Sequence, residues 1–501
     1  MKRVLLSLLI ATPAAAADLT VGPTDSIQAA IDLALDGDRV LVQPATHTER
    51  INFNGKAIEV IGLGGAANTT LNGGGLGPVV RFASGEGSAS RLQGFTITGG
   101  SANAGAGGIA CSSGATPTIE DCSIRFNRGK FGGGVTGSPI LRRCVIEGNL
   151  ASLTHGGGVY GAPQMSHCVV TGNRASSADG GGIYLVNGTA SITDCVIVDN
   201  GAVFANSSGG GLYIDSSATA AIERTVFSGN YATGGVFAGY GGGVYAESAG
   251  SSLTSCTVVG NSVSGSSTFG AGLFGPLAVR NSIVRDNLGG PDISGASSVA
   301  YSNVGGSFGG SNLDLDSSFV STTNRDFHLM SDSPLIDSGD PSLVDADGSR
   351  SDIGAHAYAM LYSMDNTDSV AWADPSWPVL SGKVGGHQTL GLQADPVYAG
   401  KFYLVLGSIS GETPGTSLLG FHIPLNRDFY FRYTLNHPNQ GPLANSAGIL
   451  DATGAARFTV NLATGSTGLD GIDVSFAALV ADLSTASILD VTNAETLQLV
   501  R

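Results

Sequence analysis

The chain has 501 residues, 76 of them glycine, with 42% hydrophobic, 13% charged and 7% aromatic residues and a net charge of −16. Such a length exceeds one ordinary domain, and so much glycine excludes a helical bundle in favour of sheets and turns. A polyanion of this kind makes a poor partner for nucleic acid or anionic membranes, so neither is expected.

Met1-Lys2-Arg3, the apolar run Val4 to Ile10 and the small residues Ala15-Ala16-Ala17 predict a secretory signal peptide over residues 1–17. The expected location is extracellular or on the cell surface. No later run is apolar for long enough to span a bilayer, so no transmembrane segment is expected. Asp25-Ser26 followed by Ile27, Ala30, Ile31 and Ala34 predicts a capped amphipathic helix of about three turns. It would form an N-terminal helical cap over residues 18–38, covering core that would otherwise be open to water.

Strand-like runs follow at Arg39–Gln43, Ala57–Ile61, Val79–Phe82 and Leu92–Thr98. A strict repeat then begins. Asn127, Asn149, Asn173, Asn200, Asn230, Asn261 and Asn287 recur at intervals of 22, 24, 27, 30, 31 and 26 residues. Each closes the same phrase, as in RCVIEGN, HCVVTGN and DCVIVDN. Glycine clusters lie between them, as in HGGGVYG from His155 and SGGGLYI from Ser208. A period of this length marks a solenoid. Apolar residues stand eight and three places before each asparagine, for example Ile192 and Ile197 before Asn200, with mixed residues between. That is strand alternation with one inward type kept from coil to coil, the pattern of parallel strands stacked about 4.8 Å apart. Asparagine suits a tight buried turn, because its amide can bond the amides above and below. Glycine marks a second corner. The fold expected over residues 39–300 is a right-handed single-stranded parallel β-helix, with residues 301–360 as its closing segment.

Five of the six cysteines, Cys122, Cys144, Cys168, Cys195 and Cys256, fall in one inward column. At a strand spacing of about 4.8 Å their β-carbons sit too far apart for the ~3.8 Å of a disulfide, so buried free thiols are expected. Beyond residue 360 the glycine repeat stops. Trp372 and Trp377 mark a joint, and the runs FYLVLGSI, LLGFHIPL, FYFRYTL, ARFTVNL, DVSFAALV and TLQLV read as short strands. They predict a small C-terminal antiparallel β-sandwich over residues 361–501. The whole is therefore expected to be all-β.

Three sets of residues are candidates for function. Two places after each glycine cluster stand Tyr160, Tyr184, Tyr213, Tyr245 and Phe274. If the preceding residues point inward, these rings point outward as a ladder on which sugar faces could stack. Arg125, Arg142 and Arg143 lie in the first regular coils and offer guanidinium contacts to an acidic glycan. The bland alternative is that outward charges pair by sign, Asp121 with Arg143 and Asp194 with Arg224. Asp345 and Asp347 form a fragment of a calcium loop. No other cofactor is called for, and no catalytic set of residues is assigned. Paired carboxylates on neighbouring coils are lacking: Asp121 and Asp194 share a register three coils apart, as do Asp199 and Asp286.

The segment SIQAAIDLALDGDRVLVQPATHTERINFNGKAIEVIG resembles the opening of pectin-lyase-like β-helix proteins. Val226-Phe227-Ser228-Gly229-Asn230, alternating with the glycine clusters, resembles the repeats of bacterial polymorphic outer-membrane proteins. The phrases YSNVGGSFGGSNLDLDSSFV, DFHLMSDSPLIDSGD and DADGSRSDIGAHAY are similar to the closing segment of bacterial choice-of-anchor β-helix proteins. These resemblances imply the fold and leave the activity open. The reading favoured by the residues is a secreted, non-catalytic, adhesin-like surface protein for glycan or protein contact. The alternative is a polysaccharide lyase or related enzyme acting on acidic glycans such as pectate.

Overall fold

The structure is a computed structural model, describing residues 16–355 apart from short gaps and parts of 379–500. Residues 1–15 of the signal segment, the Trp372–Trp377 joint and Asp347 lie outside the described residues.

Residues 18–304 wind into coils whose strands stack into three long parallel sheets of 12, 11 and 10 strands and a short one of six. The chain is a right-handed parallel β-helix. One coil serves for all. Thr118–Glu120 lies in sheet one, Ser123–Arg125 in sheet two, Arg128–Gly129 in the short sheet and Val135–Thr136 in sheet three. The registers carry each inward residue onto its equivalent: Ile119 on Leu141, Ile124 on Ile146 and Val135 on Val159. These columns form one continuous core, with Ile119, Ile124, Val135, Phe227 and Ile197 fully buried. Twelve strands in sheet one give a column on the order of 50 Å long.

The corners follow from local chemistry. The mixed position six before each asparagine is a left-handed corner and not a strand residue: Asp121, Arg143, His167, Asp194, Arg224, Ser255 and Asn281 all have φ between 42° and 55°. The residue just before each asparagine is also left-handed, which is why glycine stands there in Gly148, Gly172, Gly229 and Gly260. Asn200 then donates from its backbone N–H and its Nδ2 to Oδ1 of Asn230, both at 3.0 Å, and Nδ2 also reaches the carbonyls of Val170 and Val198. The same pattern links Asn127 through Asn287, where Asp292 supplies the last acceptor. In the glycine cluster, Gly180 has φ +68°, and a Cβ on Gly181 would overlap the backbone of the next coil at Gly201 and Gly210. The cysteines are free and buried, and burial pushes the thiols of Cys111, Cys122, Cys144, Cys168 and Cys256 up, to about 12 for Cys256.

The N-terminal helix is shorter than expected, Ile27–Leu33, since the carboxylate of Glu49 caps its start and the chain turns extended at Ala34. Residues 18–21 form no part of it; they pair with Arg39–Val42 as the first strand of sheet one.

The segment after Val304 does more than plug the end. It runs back over the outer face of sheet two, where Phe327, Leu329, Leu335, Ile353 and Ala355 bury Val226, Val259 and Ile283. Arg325 grips Asp199 with two bonds of 2.5 and 2.6 Å, and Asn281 Nδ2 donates to Ser351 at 2.7 Å. A chain truncated after Asn287 is therefore expected to aggregate, because it exposes those three apolar residues together with open strand edges. Size-exclusion chromatography of that truncated chain checks this; a soluble monomer would show that the covering segment is dispensable.

The C-terminal unit has a mainly antiparallel six-stranded sheet and a three-stranded one, joined across their faces by Phe458 and Phe476 at 5.8 Å. One expected strand is wrong. FYFRYTL is a helix, Phe429–Asn436, whose Phe431, Thr434 and Leu435 fall at helical spacing and whose Phe431 packs on Leu406, Ala477 and Leu479. Aromatic content suggested a strand, but tertiary packing decided otherwise.

Candidate functional site

Sheet three carries the aromatic column on its outer face. Its strands align Arg81, Ala110, Thr136, Tyr160, Tyr184, Tyr213, Tyr245 and Phe274 in one register. Their neighbours Val80, Ile109, Val135 and Val159 point into the core, so alternation alone turns this column outward. From Tyr160 onward the rings stack with centroids 5.4, 4.8, 4.7 and 5.2 Å apart and planes within 16° of parallel.

The ladder is real, but its middle is not exposed. Tyr184 and Tyr213 are only 7% and 6% exposed, because each ring face is covered by the next ring. A second column, the residue before each glycine cluster, leans on the first: Phe131 on Tyr160, His155 on Tyr184 and Tyr240 on Phe274. The hydroxyls are also engaged. Tyr184 donates to Asp215 at 3.0 Å and Tyr213 to Glu247 at 2.5 Å. Asp179 belongs to the second column, with Oδ2 3.5 Å from His155 Nδ1 and Oδ1 accepting the Ser208 N–H at 2.7 Å. Burial pushes its carboxyl up to about 6, and burial pushes His155 down. Sequence reasoning missed Asp179, Asp215 and Glu247. Asp179 carried a signal, since it occupies the slot that elsewhere holds Phe131, His155 or Tyr240.

The opening lies at the near end of the ladder. Ala110 and Thr136 are the small residues of the column, and over them runs a trough of about 470 Å³. That volume lies within the ~300–1,000 Å³ typical of small-ligand sites. Phe131 and Tyr160 stand at one end and Arg81 at the other, with Ser112, Ser138 and Asn187 on the rim. From Arg81 to Tyr160 are three strand spacings, or about 14 Å. Among the described residues none of the side chains of Arg81, Ser112, Thr136, Ser138, Tyr160 and Asn187 has a hydrogen bond or ion pair. Thr136 is 7% exposed and lines the floor of the trough. Arg81, Ser112 and Asn187 are exposed and Ser138 and Tyr160 half-buried, so these groups are open to a polar ligand beside the aromatic wall.

The arginine candidates do not join this site. Arg142 is exposed on sheet one, and Arg125 lies on sheet two. Arg143, at a corner, is held by Asp121 at 2.7 Å and by Glu120. Arg224 likewise pairs with Asp194 at 2.7 Å. Pairing by sign therefore accounts for both corner arginines. Asp345 Oδ2 accepts the N–H of Asp352 at 2.8 Å. Among the described residues no helix is long and apolar enough to cross a membrane.

Residues 80–205 match the family model described as a right handed beta helix region. No curated protein matches the chain. The match spans the strands that form the trough and the first rungs of the ladder, and with the coil geometry it supports a β-helix of the pectin-lyase-like kind.

Proposed function

We propose that this chain is a secreted bacterial surface protein that binds glycan along sheet three without transforming it, with the trough between Arg81 and Tyr160 as the binding site. The observation that carries this reading is a trough that ends in an aromatic wall and is lined by accessible polar side chains with no hydrogen bond or ion pair among the described residues. Hydroxyl-rich ligands with apolar ring faces meet both demands, hydrogen bonds from the rim and ring contact at Phe131 and Tyr160. Arg81, with no carboxylate partner among the described residues, favours ligands carrying an anionic group.

The test is a calorimetric screen of the purified protein against neutral and acidic polysaccharides, with released unsaturated ends measured in parallel. Binding without turnover is expected. Thr136→Tyr extends a ladder that already holds four tyrosines at this register and fills the trough, so affinity should fall at least tenfold with the melting temperature unchanged. Arg142→Ala should bind normally. If Thr136→Tyr binds as well as the parent chain, the site is elsewhere. Turnover lost in Arg81→Ala would replace this reading with a polysaccharide lyase.

A further inference from the structure

The trough has one open end and one closed end. On the Arg81 side the column continues as Asn52, on the surface of the first coils, with no ring across it. On the other side the column is filled. Tyr160 backs onto Tyr184 at 5.4 Å with planes 10° apart, Tyr184 onto Tyr213, and so on to Phe274. Rings stacked along the column have their planes across it, so Tyr160 is a wall standing over the floor of Thr136 and Ala110. Phe131, 4.9 Å from Tyr160 and tilted by 41°, thickens that wall. The wall is braced, since the rings behind it are held by Asp215 and Glu247. Moving Tyr160 aside would mean moving a stack and not a single side chain.

We infer that the site recognises the end of a glycan chain and not its interior. This rests on the glycan-binding reading of the trough. A chain laid on the sheet from the Arg81 side advances over Ala110 and Thr136 for about 14 Å, room for a short oligosaccharide, and then meets the wall. Its last residue packs against Phe131 and Tyr160, where the Thr136 hydroxyl and the rim groups Ser138 and Asn187 bond the hydroxyls that only a terminal residue leaves free. An internal residue would need a second exit for its linkage; the stacked rings occupy the path along the column, and Val186 and Asn187 of the next coil line the trough beside them. Filling the column with aromatics from the second regular coil onward is thus the specificity device. The same sheet with small residues throughout would be an open groove for long chains.

The experiment takes the glycan that binds in the screen as a size series from disaccharide to polymer, with each end modified separately: the reducing end reduced to an alditol, the other end capped by a methyl ether. Affinity per chain is expected to level off by about the tetrasaccharide, with one protein per polymer chain. Modification of one end, and not the other, should weaken binding at least tenfold. Polymers that take up protein in proportion to their length, with no effect of either end modification, would overturn end recognition while leaving the glycan-binding reading intact. Failure of every glycan to bind would remove both.

Discussion

Asn200→Ala should destabilise the β-helix by about 3–5 kcal/mol, the largest effect expected of any single side chain in the ladder. Asn200 is fully buried. Its Nδ2 serves the carbonyls of Val170 and Val198 and the Oδ1 of Asn230, while its own Oδ1 accepts both the backbone N–H and the Nδ2 of Asn173. Alanine strands those two donors and the two carbonyls in a place no solvent reaches, and each buried orphan costs about 1–3 kcal/mol, partly relieved by relaxation. Ser266→Ala, on an exposed loop of the same β-helix, should change stability by less than about 0.5 kcal/mol. Denaturant unfolding followed by far-ultraviolet circular dichroism measures both. Similar midpoints for the two variants would mean that the asparagine column contributes little beyond its turn conformation.

Asp179→Asn should stabilise the protein at pH 8 by about 3 kcal/mol and leave it nearly unchanged at pH 4. The sign follows from the direction of the shift. Burial raises the folded-state carboxyl from 3.8 to about 6, so the fold holds the proton more tightly than the unfolded chain does. Stability from this group is fully present below pH 4 and is lost as the pH climbs toward 6; above that the native state carries an ill-solvated anion. Asparagine keeps an oxygen for the Ser208 N–H, now at 2.7 Å, and carries no charge. His155 acts in the opposite sense. Its pKa is depressed by burial, so its contribution is lost as the pH falls below the ordinary histidine range. The difference between variant and parent across pH 4 to 8, not either curve alone, is therefore the readout. A constant difference over that range would show that Asp179 does not titrate as its burial demands.

Ring exposure is the point where sequence and structure part most usefully. Alternation correctly turned Tyr160, Tyr184, Tyr213 and Tyr245 outward, and outward residues are usually accessible. Here the parallel register places identical rings at one strand spacing, close to the stacking distance of aromatic rings, and the stack closes over its own faces. What remains partly open is the two ends of the stack, Tyr160 at one and Tyr245 and Phe274 at the other, and the gap before Tyr160. That gap is written in the sequence only as two small residues, Ala110 and Thr136, which carry no motif. The arginines show the same limit. Arg125, Arg142 and Arg143 are close in the chain, yet left-handed corners at Asp121 and Arg143 turn the strands onto different faces.

The sequence by itself determined the coil: its period, its inward columns, its asparagine turn and its glycine corner. Each of these is a local demand, a strand alternation, a left-handed φ or an amide partner one coil away, and a repeat states such demands many times over. Only the tertiary structure decided what lies outside the coil. Tyr184 meets Asp215 and Tyr213 meets Glu247 across one turn of loops, while Arg325 reaches back 126 residues to Asp199 and carries a strap over sheet two. Those contacts join residues whose spacing is set by loops of unequal length, so no period announces them. The helix at Phe429–Asn436 and the trough at Ala110–Thr136 have the same cause. Both arise from what surrounding elements leave to be covered or left open, and packing settles that only when the whole chain is in place.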